Sequence, residues 1–207
     1  MIVDPLTLVA FVPAALVLNL TPGADMMFCL GQGPRGGPRA ALAADAGIAL
    51  GGMVHVLVAG LGLGALVATS PWLFDAIRWG GVTYLVWLAV SAVRHGAVAS
   101  DVPQIRASRA FREALIVNLT NPKVILFVLA FVPQFVDPER GPILTQFLLL
   151  GLVLSAGGLI VNGAVGVFAG GIGRGIARSP RFGVILSWVS ASVFAALALR
   201  LALGERS

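Results

Sequence analysis

Charge is what this sequence has least of. Only 11% of its 207 residues are charged and 58% are hydrophobic, whereas a soluble domain carries about 25% and about 45–50%. So few charges cannot coat a soluble domain of this length, and so much apolar area cannot hide inside one. Lipid is the solvent that suits this composition. Lysine is scarcer still: Lys123 stands alone beside thirteen arginines and nine acidic residues. The pI near 11 therefore rests on arginine. These arginines fall between apolar runs, which suits loops at a membrane surface rather than a groove for phosphates, and no nucleic-acid partner is expected. A single cysteine, Cys29, excludes an intramolecular disulfide and a Cys-rich metal site. It reads as a small apolar helix residue. No Walker loop, zinc motif or nucleophile elbow is present, so no enzyme activity, metal or cofactor is expected. Gly31-x-Gly33-x-x-Gly36 matches a dinucleotide fingerprint only in letters, because it follows an apolar helix and not a strand. The start, Met1-Ile2-Val3-Asp4-Pro5, lacks the basic region of a secretory signal, so the first apolar run is expected to stay as a span.

What is abundant is long apolar runs. A bilayer core takes roughly 20 residues of helix, and six runs reach that length: Leu6–Leu30, Ala41–Val67, Trp72–Val93, Phe111–Phe135, Ile143–Ala169 and Phe182–Leu203. The third is the least clean, with Asp75 and Arg78 near its start. Backbone groups in lipid must be paired within the segment or in a closed barrel, and unbroken apolar runs lack the alternation of barrel strands. The chain is expected to be an all-α membrane protein with six transmembrane helices. Nine arginines (Arg35, Arg39, Arg94, Arg106, Arg109, Arg112, Arg174, Arg178 and Arg181) lie in the odd-numbered loops, against Arg78 and Arg140 in the even ones. The positive-inside rule then makes the odd loops cytoplasmic and both termini periplasmic.

The two halves echo one another. Phe11 and Phe111 open similar stretches that reach Asn19-Leu20-Thr21 and Asn118-Leu119-Thr120. Proline follows in both, as Pro22 and, after Asn121, as Pro122. Three spans per half give the halves opposite orientation, so the chain reads as one transporter domain, 1–207. It divides into inverted repeats of about 1–100 and 101–207, with interruptions at matching places marking a transport site. Thr21-Pro22 and Asn121-Pro122 each join an N-cap residue to the favoured first helical residue. The first and fourth helices are thus expected to stop and restart at Pro22 and Pro122, exposing N–H groups and a positive dipole end suited to a carboxylate. The bland alternative, a proline kink repaired by Asn and Thr side chains, explains one motif more easily than two. Pro22 lies 16 residues beyond Leu6, about 24 Å of helix, and Pro122 lies 11 beyond Phe111, about 17 Å. On that count the two breaks would sit at different depths.

Ionisable residues inside spans point to function and to a partner. Asp25 falls just after Pro22 and Lys123 just after Pro122, and an ion pair between them would bridge the halves. Functionally, Asp25 would bind a substrate ammonium or a proton, while Lys123 and the helix restarts hold a carboxylate. A purely structural pair is the alternative. Asp45 reads equally as a second proton-carrying carboxylate or as an interfacial charge. His55, in mid-span, reads first as a hydrogen-bonded packing residue, and Asn162 as glue between helices. Gly47-x3-Gly51, Gly60-x3-Gly64 and Gly166-x3-Gly170 fit close helix packing, within the subunit or across a homo-oligomer.

At these residues the chain resembles the lysine-exporter superfamily, in its homoserine/threonine-efflux (LysE/RhtB) branch, over nearly its whole length. Leu20-Thr21-Pro22-Gly23-Ala24-Asp25 is close to the family's L-T-P-G-P-D, with Ala24 in place of the second proline, and a basic, glycine-rich loop, Gly33–Arg39, follows. Gly47–Gly51 with His55 and Gly62, and Gly80-Gly81-Val82-Thr83-Tyr84-Leu85, resemble further signatures, as do Asn121-Pro122-Lys123 and Phe131-Val132-Pro133-Gln134-Phe135. Asp45 has no counterpart in that pattern. The resemblance implies export of amino acids or their derivatives across the bacterial inner membrane, driven by the proton-motive force. It implies site roles for Pro22, Gly23, Asp25, Asn121, Pro122 and Lys123, to which the repeated triplets add Asn19, Thr21 and Asn118 as substrate-binding candidates. Asp25 and Asp45 are the proton-coupling candidates. A neutral amino acid is favoured because few carboxylates are spare for a cationic side chain. Export of basic amino acids, a passive channel and a cation exporter are the alternatives.

Overall fold

The structure, a computed structural model, describes residues 2–21, 23–69 and 106–169, with separate positions in 76–90 and 184–202. The described residues are helical and contain no strand. Five α-helices carry the fold: α1 (Pro5–Leu20), α2 (Ala24–Thr69), α3 (Ala107–Leu119), α4 (Pro122–Leu126) and α5 (Ile143–Ala169). Two stretches, Gly36–Gly62 and Ile143–Phe168, are long and apolar enough to cross a bilayer unbroken. Two more qualify as bent pairs: Pro5–Leu20 with Ala24–Gly33, bent by 57°, and Ala107–Leu119 with Pro122–Phe135, bent by 51°. The third and sixth expected spans lie largely outside the described residues, as do Pro22, Tyr84 and the arginines at 78, 94, 174, 178 and 181.

Local chemistry sets the helix ends. Asp4 caps α1 by accepting from the Leu6 N–H at 2.9 Å, with Pro5 as the first helical residue. α1 runs through Pro13 without ending. The expected basic loop at 33–39 is instead a helical corner within α2, where only Gly37 leaves helical geometry (φ 71°, ψ −176°). Pro38 disfavours the α region at the residue before it, and glycine alone adopts the positive φ without strain. α3 starts at Ala107, a turn before the apolar run, because helix continues past the hydrocarbon into an exposed, polar stretch bearing the Arg109–Glu113 pair (2.7 Å). Beyond α4 the backbone widens into a π-type turn, Phe127–Phe131, then tightens into a 3-10 turn, Val132–Phe135. The Val132 N–H reaches back five residues to the Phe127 carbonyl, just before Pro133, which has no N–H to offer.

Polarity is reversed relative to a soluble domain. Leu6 is 77% and Ile160 72% exposed, whereas Asp45 is 1% and Asn118 2% exposed. Lipid gives apolar side chains no reason to cluster, so small residues and interhelical hydrogen bonds hold such helices together. α2 packs along both α3 and α5. A Cβ at Gly47 would strike the Phe111 carbonyl, one at Gly51 would lie 2.5 Å from Asn118 Oδ1, and one at Gly151 2.5 Å from Val56. Gly166 lets α5 approach Ala41 and the Cys29 carbonyl.

Candidate functional site

The two helix ends near Thr21 and Thr120 are linked by side chains. α1 ends at Leu20, where the Thr21 N–H and hydroxyl both donate to the Val17 carbonyl, at 2.9 and 2.6 Å. Thr21 therefore closes α1 and does not cap the restart, as the sequence had suggested. The restart is at Ala24, and the Gly23 carbonyl accepts its first bond, from the Met27 N–H at 3.0 Å. The same hydroxyl chemistry recurs at Thr120, which donates to the Ile116 carbonyl at 2.8 Å. There Asn121 does cap the next helix, accepting from the Lys123 N–H at 3.0 Å, with Pro122 as first helical residue.

Side chains then cross between the two ends. Asn118 Nδ2 donates to Asp25 Oδ2 at 2.8 Å. Lys123 Nζ donates to the carbonyls of Leu18 (3.1 Å) and Thr21 (3.0 Å), passing over Gly23, where a Cβ would lie 3.0 Å from Nζ. The expected Asp25–Lys123 ion pair is absent among the described residues. An ammonium has three protons to place, and the carbonyls freed at the negative end of α1 receive it, while Asn118 holds Asp25. These bonds put the two ends at one level despite the unequal run lengths.

Two other expected residues sit differently. Asn19 turns to α5, donating to the Leu154 carbonyl at 3.0 Å against Gly157, so it binds helices together. His55 Nε2 lies 3.1 Å from the Asn118 carbonyl; an acceptor there requires the N–H on Nε2. Asp45 is buried and does not face water: a Cβ on Gly163 of α5 would lie 2.8 Å from its Oδ2. Asn162, next to Gly163, is also buried.

Several buried polar atoms have no partner among the described residues: Asp25 Oδ1, Asn118 Oδ1, Asn121 Nδ2, Asp45 Oδ1 and both polar atoms of Gln32. Gln32 escaped the sequence reading. It lies seven residues after Asp25, on the same helical face, with Cys29 between, and that spacing was its only signal. At the breaks this leaves acceptors (Asp25, Asn118) and a donor (Asn121) unengaged, beside a lysine ammonium. Such a set can grip a zwitterion, with the ammonium to the acceptors and the carboxylate to the donors. No group of three His, Cys, Asp or Glu side chains suited to a metal occurs among the described residues.

Comparison with known proteins places the chain. Over 196 residues, 93% of this chain and 95% of the relative, it is 35% identical to an uncharacterized membrane protein of Vibrio cholerae. It is 36% identical over 147 residues (69% of this chain, 70% of the relative) to a homoserine/homoserine lactone efflux protein of Salmonella typhimurium. To a leucine efflux protein of Klebsiella pneumoniae it is 34% identical over 155 residues, 72% of each chain. No solved structure matches it. The LysE type translocator family matches residues 16–205, spanning both helix ends and every side chain that crosses between them, and the chain belongs to that family.

Proposed function

We propose that this protein exports a small neutral amino acid, or a derivative, from the bacterial cytoplasm in exchange for protons, by alternating access. It is a transporter and not an enzyme, in keeping with its translocator family. The observation that carries the reading is the cluster at the two breaks, where unengaged acceptors on Asp25 and Asn118 and an unengaged donor on Asn121 accompany the Lys123 ammonium. Asp25 and Asn118 take the ammonium. Asn121, Lys123 and the restarts after Gly23 and at Pro122 take the carboxylate. Asp25 carries the proton when the amine has left, and Asp45, also buried, carries a second. Thr21 and Pro22 shape the first break. Asn19 shares in the site only through its hold on α5.

An inverted repeat of six spans in one domain, 1–207, is supported by a reciprocal contact. Asn19 of the first half packs against Gly157 of the second, and Asn118 of the second packs against Gly51 of the first. Two-fold related halves exchange equivalent contacts in this way. The Asp4–Arg140 ion pair (2.9 Å) supports an N-terminus on the same side as the fourth loop, which the arginine distribution makes the periplasmic side of the inner membrane. The close-packing glycines serve the subunit itself, and a homo-oligomer would use the exposed apolar faces.

Homoserine and leucine, named for two relatives, both have uncharged side chains, which favours a neutral substrate over a basic one. Efflux from loaded cells across an amino-acid panel, with and without an uncoupler, tests the proposal. The expected result is efflux of one or a few neutral amino acids that the uncoupler stops. Flux indifferent to the uncoupler would make the protein a passive channel, and export of lysine or arginine alone would overturn the neutral preference. Asp45→Asn is expected to keep downhill flux while losing its dependence on the proton gradient; intact coupling in that variant would remove Asp45 from the proton route.

A further inference from the structure

The two sides of the breaks differ in kind. Toward the Asp4–Arg140 face, the space between breaks and surface is filled by aromatic rings: Phe11 of α1, Phe127, Phe131 and Phe135 after the second break, and Phe147 of α5, all buried. Phe11 meets Phe135 edge-on at 5.1 Å, Phe131 lies 4.8 Å from Phe127 and 5.0 Å from Phe135. Above them, Arg140 binds Asp4 (2.9 Å) and Asp137 (3.1 Å), tying the first residue before α1 to the turn after the Phe segment. The one buried polar side chain at this end among the described residues, Gln146, is fully used, bonding the Asp137 N–H and the carbonyls of Asp137 and Gly141. Toward the Gly37 corner the core is small, built from Cys29, Ala40, Ala44, Ile48, Ala110 and Ala114. Every buried, unpartnered side-chain atom among the described residues lies at the breaks or on this second side, including Gln32 and Asp45.

A zwitterion could approach the breaks along the side that offers polar atoms, whereas five rings bar the other. The barred side also contains the non-α backbone of residues 127–135. Turns without a regular i to i−4 ladder shift at lower cost than intact helix. We propose that residues 127–141, closing on Phe11 and Phe147, form the extracytoplasmic gate of this transporter, with Arg140 as its latch to α1. The proposal rests on the transport reading and the orientation given above. To release substrate, the Phe segment pivots at the π-type turn, the Arg140–Asp4 pair parts, and the rings separate.

The test uses the full chain in cells with Cys29→Ser as background. Asp4→Cys with Arg140→Cys is treated with a short, membrane-impermeant, disulfide-forming bifunctional reagent. Crosslinked protein is expected to lose efflux at least about tenfold and to regain it on reduction; export by fully crosslinked protein at the untreated rate would overturn the gate. In a second measurement, reaction of Val132→Cys with an impermeant maleimide is expected to quicken about fivefold when Arg140→Ala is added, the equilibrium shift that an exposed ion pair supplies. An unchanged rate would overturn the latch. The underlying readings fail visibly and separately: no efflux from the untreated parent removes the transport reading, and labelling of Arg140→Cys from the cytoplasmic side alone removes the orientation.

Discussion

The first break and the second are built from nearly the same letters but held in different ways. At the second, Asn121 caps its own helix, and His55 takes the Asn118 carbonyl from within the adjoining long helix. At the first, no capping side chain is seen at Gly23, and the freed carbonyls of Leu18 and Thr21 rely on Lys123, which belongs to the other half. The second break caps its own restart and draws one bond from the first half, through His55, whereas both freed carbonyls of the first depend on Lys123 of the second. A bound carboxylate that draws Lys123 toward itself would loosen the end of α1, and α1 bears both Phe11 and the residue after Asp4. Substrate binding and the packing of α1 are thereby linked through one ammonium.

The largest expected effect comes from removing the carboxylate assigned to the substrate ammonium. Asp25→Asn should reduce efflux by about a hundredfold, the worth of one charge-assisted contact of about 3 kcal/mol, while the amount of protein in the membrane stays normal. Export by this variant at the parent rate would end its assigned role. Next in size is a direct contest between the breaks. Lys123→Met removes two carbonyl partners as well as a substrate contact and should cost more than tenfold in efflux together with a lowered melting temperature in detergent. Asn121→Ala should lose about 1 kcal/mol of stability, the usual worth of an N-cap, with its efflux defect the smaller of the two. Equal thermal effects in the two variants would break the asymmetry.

Sequence displayed the membrane residence, the broken segments and their neighbourhoods, because composition and Asn-Pro chemistry act locally. It could not say what Thr21 would do. A threonine hydroxyl caps forward or bonds back to a carbonyl four residues earlier, and only the position of Gly23 decides between them. Asp25 and Lys123 looked like partners because charge is the attraction that letters show, whereas the carbonyls that hold Lys123 are present at every residue and become acceptors only where a helix stops. Gln32 was overlooked for a related reason: an amide carries no charge, and its burial depends on how α2 folds back at Gly37. The start of α3 was placed late because polar residues continue a helix beyond the hydrocarbon.

The close approach of α2 to the second break offers a smaller test. Gly51→Ala sets a Cβ 2.5 Å from Asn118 Oδ1 and should cost about 1–3 kcal/mol, the usual penalty of overpacking. Gly62→Ala, in the same helix, meets nothing within 4 Å and should leave the melting temperature unchanged or slightly raised, since alanine favours helix. If Gly51→Ala proves as mild as Gly62→Ala, the long helix is not what fixes Asn118.

The smallest effect should come from His55. Its only described bond runs from Nε2 to the Asn118 carbonyl, at a break that Asn121 already caps. His55→Gln keeps an N–H donor of similar reach and should change stability by less than about 1 kcal/mol, whereas His55→Leu leaves that carbonyl without the donor and should lose about 1–2 kcal/mol. Efflux in both should stay within severalfold of the parent and keep its dependence on the proton gradient, because no step of the proposed cycle uses the imidazole. Loss of coupling in His55→Gln would show that the imidazole takes part in the cycle, and the contrast between the two breaks would have to be redrawn around the histidine.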